Sequence, residues 1–289
     1  MASYLAYHPC YPCKNCMDLL TPFEGCWQRI KRAEAHRDTF AETWNSFADT
    51  DAYDVVLHID DHGHGGMWLE PRHVTLSTDF SLQIGEILYQ LRAALDGSIY
   101  ASAILDSGQD PPPDEQWLEF PITDSSDKFN NCARNIAPLD PRKKAFIERV
   151  QPYNIPDIPD NLLINNFNRT LGILHDWAKK DTHRKLHFTG SWTSKASPQL
   201  RLLAGVTLVK MDVIGSGFLE HESKIASFVL AGYNSSLNVQ GNPNLFLDIG
   251  IDEVPPPCAD NDTLGNRIES MIFTVKNIVG ALESAFPKL

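Results

Sequence analysis

The sequence has no long hydrophobic run, since no window reaches the roughly 18 consecutive apolar residues that a membrane-spanning helix needs. Its first stretch, "MASYLAYHPCYPCKNC", has neither a basic n-region nor an apolar h-region, so no secretory leader is predicted. Internal repeats and low-complexity tracts are also absent. Together these absences predict a globular protein of the cytoplasm.

Basic residues are in deficit, because 25 Lys and Arg face 37 Asp and Glu and leave a formal charge of −12. A general nucleic-acid binder needs a Lys/Arg surface that displaces counterions from phosphate, so this balance argues against that class. One local basic cluster stands apart, at Lys179, Lys180, Arg184 and Lys185. A chain of 289 residues is otherwise long enough to bury a sizeable core in one or two domains.

Cysteines are few and unevenly placed, which argues against a disulfide framework and favours a reducing compartment. Four of the six lie near the N-terminus, at Cys10, Cys13, Cys16 and Cys26. These four thiols are a candidate zinc site, and less favourably an iron–sulfur site, because both need four ligands at short spacing. The alternative is an exposed N-terminal extension with reduced thiols.

Hydrophobic periodicity predicts an α+β protein that begins with a Cys-rich segment at residues 1–26. Residues 27–190 are predicted to be mainly helical, with a β-hairpin near residues 54–76. Residues 191–289 contain β-branched runs that predict antiparallel strands, followed by a C-terminal helix that packs on the rest. The glycine-rich turn of the hairpin, "HIDDHGHGG", resembles a metal site, but a tight turn demands the same residue types.

Two helices carry polar residues that interrupt their amphipathic pattern. Arg92 and Asp96 are four residues apart and share a helix face, while Asp181, His183 and Arg184 follow each other on a later helix. Taken separately they are ordinary surface charges, and an exposed ion pair contributes only ~0.3–0.5 kcal/mol. Taken together they are candidate catalytic residues of one polar site, if the two helices pack side by side.

The order of several motifs resembles a widespread family of uncharacterised bacterial proteins. This chain reads "IGEILYQLRAALDGS", then "FPI", then "IERVQPY", then "DTHR", where the family pattern runs through LRSALDHL, FPI, QPY and DKHR. The resemblance covers roughly residues 27 to 190. Threonine at position 182 replaces the lysine of the last family motif.

The helical pattern of that family is similar to the HEPN superfamily, and this resemblance implies a helical bundle and a metal-independent endoribonuclease. Active members use an arginine and a histidine at R-x4–6-H spacing on one helix, in a site that usually assembles across a dimer. The resemblance would therefore imply RNA as substrate and a homodimer. Here Gly97 stands where the family has its histidine, and glycine supplies no group for proton transfer.

Other assignments remain open at the level of sequence. Arg169 and His175 also satisfy the arginine–histidine spacing. Alternatively, the polar residues form a structural ion network in a non-catalytic binding or interaction module that recognises a partner protein. A third interpretation is a metal-dependent hydrolase that uses the N-terminal cysteines.

Overall fold

The computed structural model has a mixed α+β fold and confirms that prediction. It describes residues 21–48, 53–71, 78–155, 162–183, 188–192, 198–214, 217–219, 222–242, 247–251 and 264–284. Within these ranges the helices are α1 (Glu24–Ala48), α2 (Thr78–Ser107), α3 (Ser126–Asn131), α4 (Pro141–Arg149), α5 (Leu162–His183) and α6 (Leu264–Ser284). The strands are β1 (Tyr53–Ile59), β2 (His64–Pro71), β3 (Phe188–Trp192), β4 (Gln199–Arg201), β5 (Thr207–Val213), β6 (Gly217–Leu219), β7 (Ser223–Ala231), β8 (Gln240–Asn242) and β9 (Leu247–Ile251).

Helix α2 is the centre of the helical layer, because α1, α5 and α6 all pack against it. Its apolar residues recur every three or four positions, so they form one stripe along the helix. The structure buries this stripe almost completely at Ile84, Leu88, Leu91, Leu95 and Ile99. Burying each such side chain stabilises the fold by about 1.5–3 kcal/mol relative to exposing it.

Helix α6 closes the same core from the C-terminal end of the chain. It buries a regular series of apolar side chains, namely Leu264, Ile268, Met271, Ile272, Val275, Ile278, Val279 and Leu282. The first turn of α4 has two residues that favour the start of a helix. Asp140 caps it by accepting the Arg142 N–H at 2.8 Å, and Pro141 occupies the first helical position.

The main sheet combines strands that are far apart in the sequence. Its order is β1-β2-β7-β5 and all neighbours are antiparallel, so the early hairpin pairs with a strand more than 150 residues later. A second hydrophobic cluster covers one face of this sheet and includes Met67, Leu69 and Phe228. Gly65 lies under the Phe228 ring, where an added Cβ would come within 2.5 Å of a ring carbon.

Two smaller sheets complete the described strands. One has the order β6-β3-β9, and the other pairs β4 with β8. None of the described helices is long and apolar enough to cross a membrane.

Candidate functional site on helix α2

Arg92 and Asp96 form an ion pair on α2, with 3.4 Å between the Arg92 Nη2 and the Asp96 Oδ1. The Arg92 side chain is 16% exposed and the Asp96 side chain is 36% exposed, so the pair is half-buried and not fully solvated. Burial raises the pKa of Asp96, while the Arg92 charge and a backbone N–H act in the opposite direction. A third charge joins them, because the Glu119 Oε1 lies 3.4 Å from the same Arg92 nitrogen.

The Arg92–Asp96 pair holds the backbone of the segment that follows α2. The Phe120 N–H donates to the Asp96 Oδ1 at 3.0 Å, and the Arg92 Nη2 donates to the Phe120 carbonyl at 3.4 Å. Both backbone polar groups of Phe120 are therefore satisfied by one i,i+4 pair. This matters because Phe120 is fully buried, and an unpaired buried backbone group would cost about 1–3 kcal/mol.

The next residues of that segment are held from the opposite side by Gln151. Its Nε2 donates to the Pro121 carbonyl at 2.8 Å, and its Oε1 accepts the Thr123 N–H at 2.9 Å. Gln151 is itself fully buried. The "FPI" stretch is thus fastened between the "LRAALD" helix and the "QPY" turn, so the three motifs form one hydrogen-bonded unit.

Asn168 on α5 anchors the "QPY" turn and was not among the site residues predicted from the sequence. Its Nδ2 lies 2.7 Å from the carbonyl oxygens of both Gln151 and Asn154 and 3.1 Å from that of Arg149. The sequence signal that could have identified it is a polar asparagine at a position where the helical pattern would place an apolar residue. We call Arg92, Asp96, Gln151 and Asn168, with the backbone groups they bind, the motif network.

His175 on α5 lies near Arg92, although its spacing in the sequence pairs it with Arg169. Its pKa is lowered mainly by burial and next by the positive charge of Arg92. The half-buried imidazole is therefore neutral at pH 7. Arg169 is exposed on the same helix, and a separation of six residues leaves the two side chains about 120° apart around the helix axis.

Arg92 has one polar atom that makes no hydrogen bond within the described residues. Its Nη1 is buried and has no hydrogen-bond partner among the described residues. A guanidinium can use such a nitrogen to grip an oxyanion. Among the described residues, Arg92 and neutral His175 are two groups of this region that fit an anionic ligand.

Asp181 lies farther along the same pair of helices, against Gly85. A Cβ added to Gly85 would meet the Asp181 Oδ2 at 2.5 Å, so the carboxylate occupies the space that glycine leaves. Burial raises the pKa of Asp181. Gly85 is two helical turns from Arg92, which places Asp181 about 10 Å along the helix from the Arg92 site. The side chain of His183 and all of Arg184 lie outside the described residues.

Gly97, where the family pattern has histidine, faces α1 and not the Arg92 site. An added Cβ would come 3.2 Å from the Cys26 Sγ, which is tighter than ordinary van der Waals contact. Cys26 is 3% exposed, and burial raises its pKa to about 11. The thiolate that zinc binds is therefore disfavoured at this position. Cys10, Cys13 and Cys16 lie outside the described residues.

The histidine-rich hairpin turn is organised by Asp60. Its Oδ1 accepts the N–H groups of His62 at 2.9 Å and His64 at 2.8 Å, and Gly63 takes the positive φ of 79° that the turn requires. Both histidines are exposed. Across the part of the chain that the structure describes, no group of three or more His, Cys, Asp or Glu is arranged to hold a metal ion.

Comparison with family models, curated proteins and solved structures yields no match to this chain. The resemblance in the motif order and to HEPN proteins therefore stays a prediction. The assignment of function depends on the geometry of the motif network and its surroundings.

Proposed function

We propose that this protein is a non-catalytic binding or interaction module, in which the Arg92–Asp96 pair is a structural ion network. The observation that carries the proposal is that this pair binds both backbone groups of Phe120. The Arg92 Nη2 already donates to the Phe120 carbonyl and pairs with Asp96, so it is occupied before any substrate binds. The pair then serves to fix the "FPI" segment against α2.

The position of Gly97 supports the same proposal. The R-x4–6-H pattern needs a histidine on the arginine helix, and here that position is filled by the contact with Cys26 on α1. The net charge of −12 also opposes general affinity for RNA. These observations favour a scaffold whose polar motifs specify packing.

An RNA-cleavage assay combined with thermal unfolding tests this proposal. Purified wild type is incubated with labelled structured RNA in excess EDTA, beside Asp96→Ala and the control Asp124→Ala, which removes a carboxylate from an exposed pair with Lys128. We expect no fragments with 2′,3′-cyclic phosphate ends from any of the three. Asp96→Ala should be less stable by about 1–3 kcal/mol because the Phe120 N–H is left buried and unpaired, whereas Asp124→Ala should change little.

A metal-independent endoribonuclease is the second candidate, and two observations favour it: the Arg92 Nη1 has no partner among the described residues, and the Arg92 charge is near enough to lower the pKa of His175. Neutral His175 would accept the proton of a ribose 2′-OH as the 2′-oxygen attacks phosphorus. The P–O5′ bond would break, and the protonated imidazole would return its proton to the leaving oxygen, leaving a 2′,3′-cyclic phosphate. The Arg92 Nη1 would bind a phosphate oxygen.

The His175→Ala variant separates the two candidates. If wild type produces cyclic phosphate ends in EDTA and His175→Ala does not, while melting at a similar temperature, the nuclease is correct and the non-catalytic proposal is wrong. A His183→Ala variant, made in parallel, reports whether the histidine of the "DTHR" motif takes part. Activity lost only in His183→Ala would move the site toward the end of α5.

A further inference from the structure

Strand β5 is an edge of the main sheet with an exposed apolar surface. It pairs with β7 on one side, and no described strand pairs with its other side. Val209 is 64% exposed and Val213 is 45% exposed. An exposed apolar edge is a template for pairing with another chain unless something covers or blunts it.

The hydrogen bonds to β7 show which backbone groups of β5 point outward. The Ile214 N–H donates to the Ile225 carbonyl, so residue 214 faces β7. Because antiparallel strands alternate, residues 212 and 210 also direct their backbone groups to β7. Met211 and Val213 therefore direct theirs to the outer edge.

The side chains of β5 are complementary to a second copy of the same strand in one register. If two β5 strands pair antiparallel about Met211, each Lys210 lies opposite the Asp212 of the other copy, and each Val209 lies opposite a Val213. Met211 then pairs with its own copy through the outward N–H and carbonyl. Lys210 and Asp212 occupy the closely spaced, non-hydrogen-bonded positions, where opposite charges stabilise an antiparallel pair.

The two faces of the sheet would continue across this junction. Met211 packs with the apolar cluster on one face, beside Phe228, its partner on β7. Lys210 and Asp212 are 65% and 63% exposed on the other face, where they form an ion pair within the strand at 2.6 Å, so in the paired strands each would also meet the opposite charge of the other copy. Pairing about Met211 thus places apolar beside apolar and charge beside opposite charge, which no one-residue shift of register does.

We propose that β5 is the interface of a symmetric homodimer, in which two four-stranded sheets join edge to edge about Met211. The extra residue at Val209, where the register with β7 shifts, restricts the ladder to residues 209–213. Such a short ladder buries little surface, so the dimer is expected to be transient. This inference is independent of the proposed function.

Charge exchange at positions 210 and 212 tests the register. Sedimentation velocity over a concentration series compares wild type, Asp212→Lys, and the double variant Lys210→Asp/Asp212→Lys, all of the full chain. With Asp212→Lys, Lys210 of each copy lies opposite the lysine introduced at position 212 of the other copy. These two like-charge pairs should weaken the dimer about tenfold or more. The double variant restores opposite charges with reversed direction and should return to within about threefold of wild type.

Val213→Pro provides a backbone test that does not depend on charge. It removes an outward N–H and leaves the ladder to β7 intact, since proline is tolerated at such edge positions. Dimer should be lost while the melting temperature stays close to that of wild type. A wild type that is monomeric at all concentrations would overturn the proposal, as would a dimer that none of these variants weakens; the latter would place the interface on another surface. Failure of the double variant to recover would exclude this register.

Discussion

Gly97 on α2 lies directly against Cys26 on α1, so closely that an added Cβ would come 3.2 Å from the sulfur. The position at which the resembling family carries a histidine is, in this chain, a helix–helix contact. The glycine that replaces the family histidine is therefore explained by the close packing of α2 against α1 at this position.

Restoring the family residue should therefore damage the fold. Gly97→His inserts an imidazole between α1 and α2, and we expect the free energy of unfolding to fall by about 1–3 kcal/mol, the usual cost of overpacking. Denaturant unfolding measures this change. Part of the loss should be recovered in a Cys26→Ala background, because the sulfur that obstructs the added side chain is gone.

Gly25 is the matched control for that experiment. It lies in the first turn of α1, is exposed, and has nothing within 4 Å of an added Cβ. Gly25→Ala should leave the stability unchanged or raise it by up to about 1 kcal/mol, through helix propensity. A stabilising Gly97→His would show that α1 and α2 have room there and that the contact is not restrictive.

The pKa of His175 should depend on Arg92. Burial and the Arg92 charge both lower it, so Arg92→Met should raise the pKa of His175 toward its ordinary value of about 6.5. Titration of the imidazole carbon–proton signals by NMR measures the shift. Arg169→Met is the control on the same helix as His175, and no change is expected there. An unchanged pKa in Arg92→Met would mean that the two side chains are not neighbours.

The sign of the His175 shift also sets a pH dependence of stability. Because the pKa of His175 is lower in the folded protein, the unfolded chain binds this proton more readily. The contribution of the neutral imidazole to the free energy of unfolding is therefore fully present above the unfolded pKa. It is lost as the pH falls through the folded value. His175→Gln should remove this part of the decline when unfolding is followed from pH 7.5 downward.

Asp181 should show the opposite dependence. Burial raises its pKa in the folded state, so the folded protein favours the protonated form, and stability is lost as the pH rises through the folded pKa. Asp181→Asn removes the charge from the space beside Gly85 and should stabilise the protein at pH 7. The gain should disappear below about pH 3.9, the ordinary value for aspartate. Asp61→Asn, in the exposed hairpin turn, is the control. A destabilising Asp181→Asn at pH 7 would indicate that the charged form has a favourable partner.

Breaking the buried ion pair between Lys143 and Asp106 should cost the most. Lys143 Nζ lies 2.8 Å from the Asp106 Oδ1, the lysine side chain is 2% exposed, and the other Asp106 oxygen accepts the Asp140 N–H. Asp106→Ala strands a buried charge and should lower the free energy of unfolding by about 3–5 kcal/mol. A double variant with Lys143→Met should be less destabilised than Asp106→Ala alone. Equal losses in the single and the double variant would show that the hydrogen bond from the Asp140 N–H to Asp106 matters more than the unpaired charge of Lys143.

Local signals in the sequence predicted much of the secondary structure. The spacing of Ile84, Leu88, Leu91 and Leu95 is that of one face of a helix, which the structure shows as α2. Asp140 before Pro141 has the pattern of a helix start, which the structure shows at α4. Both patterns are readable because helix periodicity and capping act between residues close in the chain. The hairpin turn followed from its Gly and Asp residues for the same reason. Each of these features depends on contacts within about one helical turn or one tight turn.

The sequence by itself determined the α+β class, the main helices and the pairing of Arg92 with Asp96, since all of these follow from spacing along the chain. The tertiary structure decided that this pair holds the Phe120 backbone, that His175 lies near Arg92, and that Gly97 meets Cys26. It also decided that β2 pairs with β7. These contacts join segments tens to hundreds of residues apart, and their geometry depends on how whole helices and strands pack, which no local pattern of residues encodes.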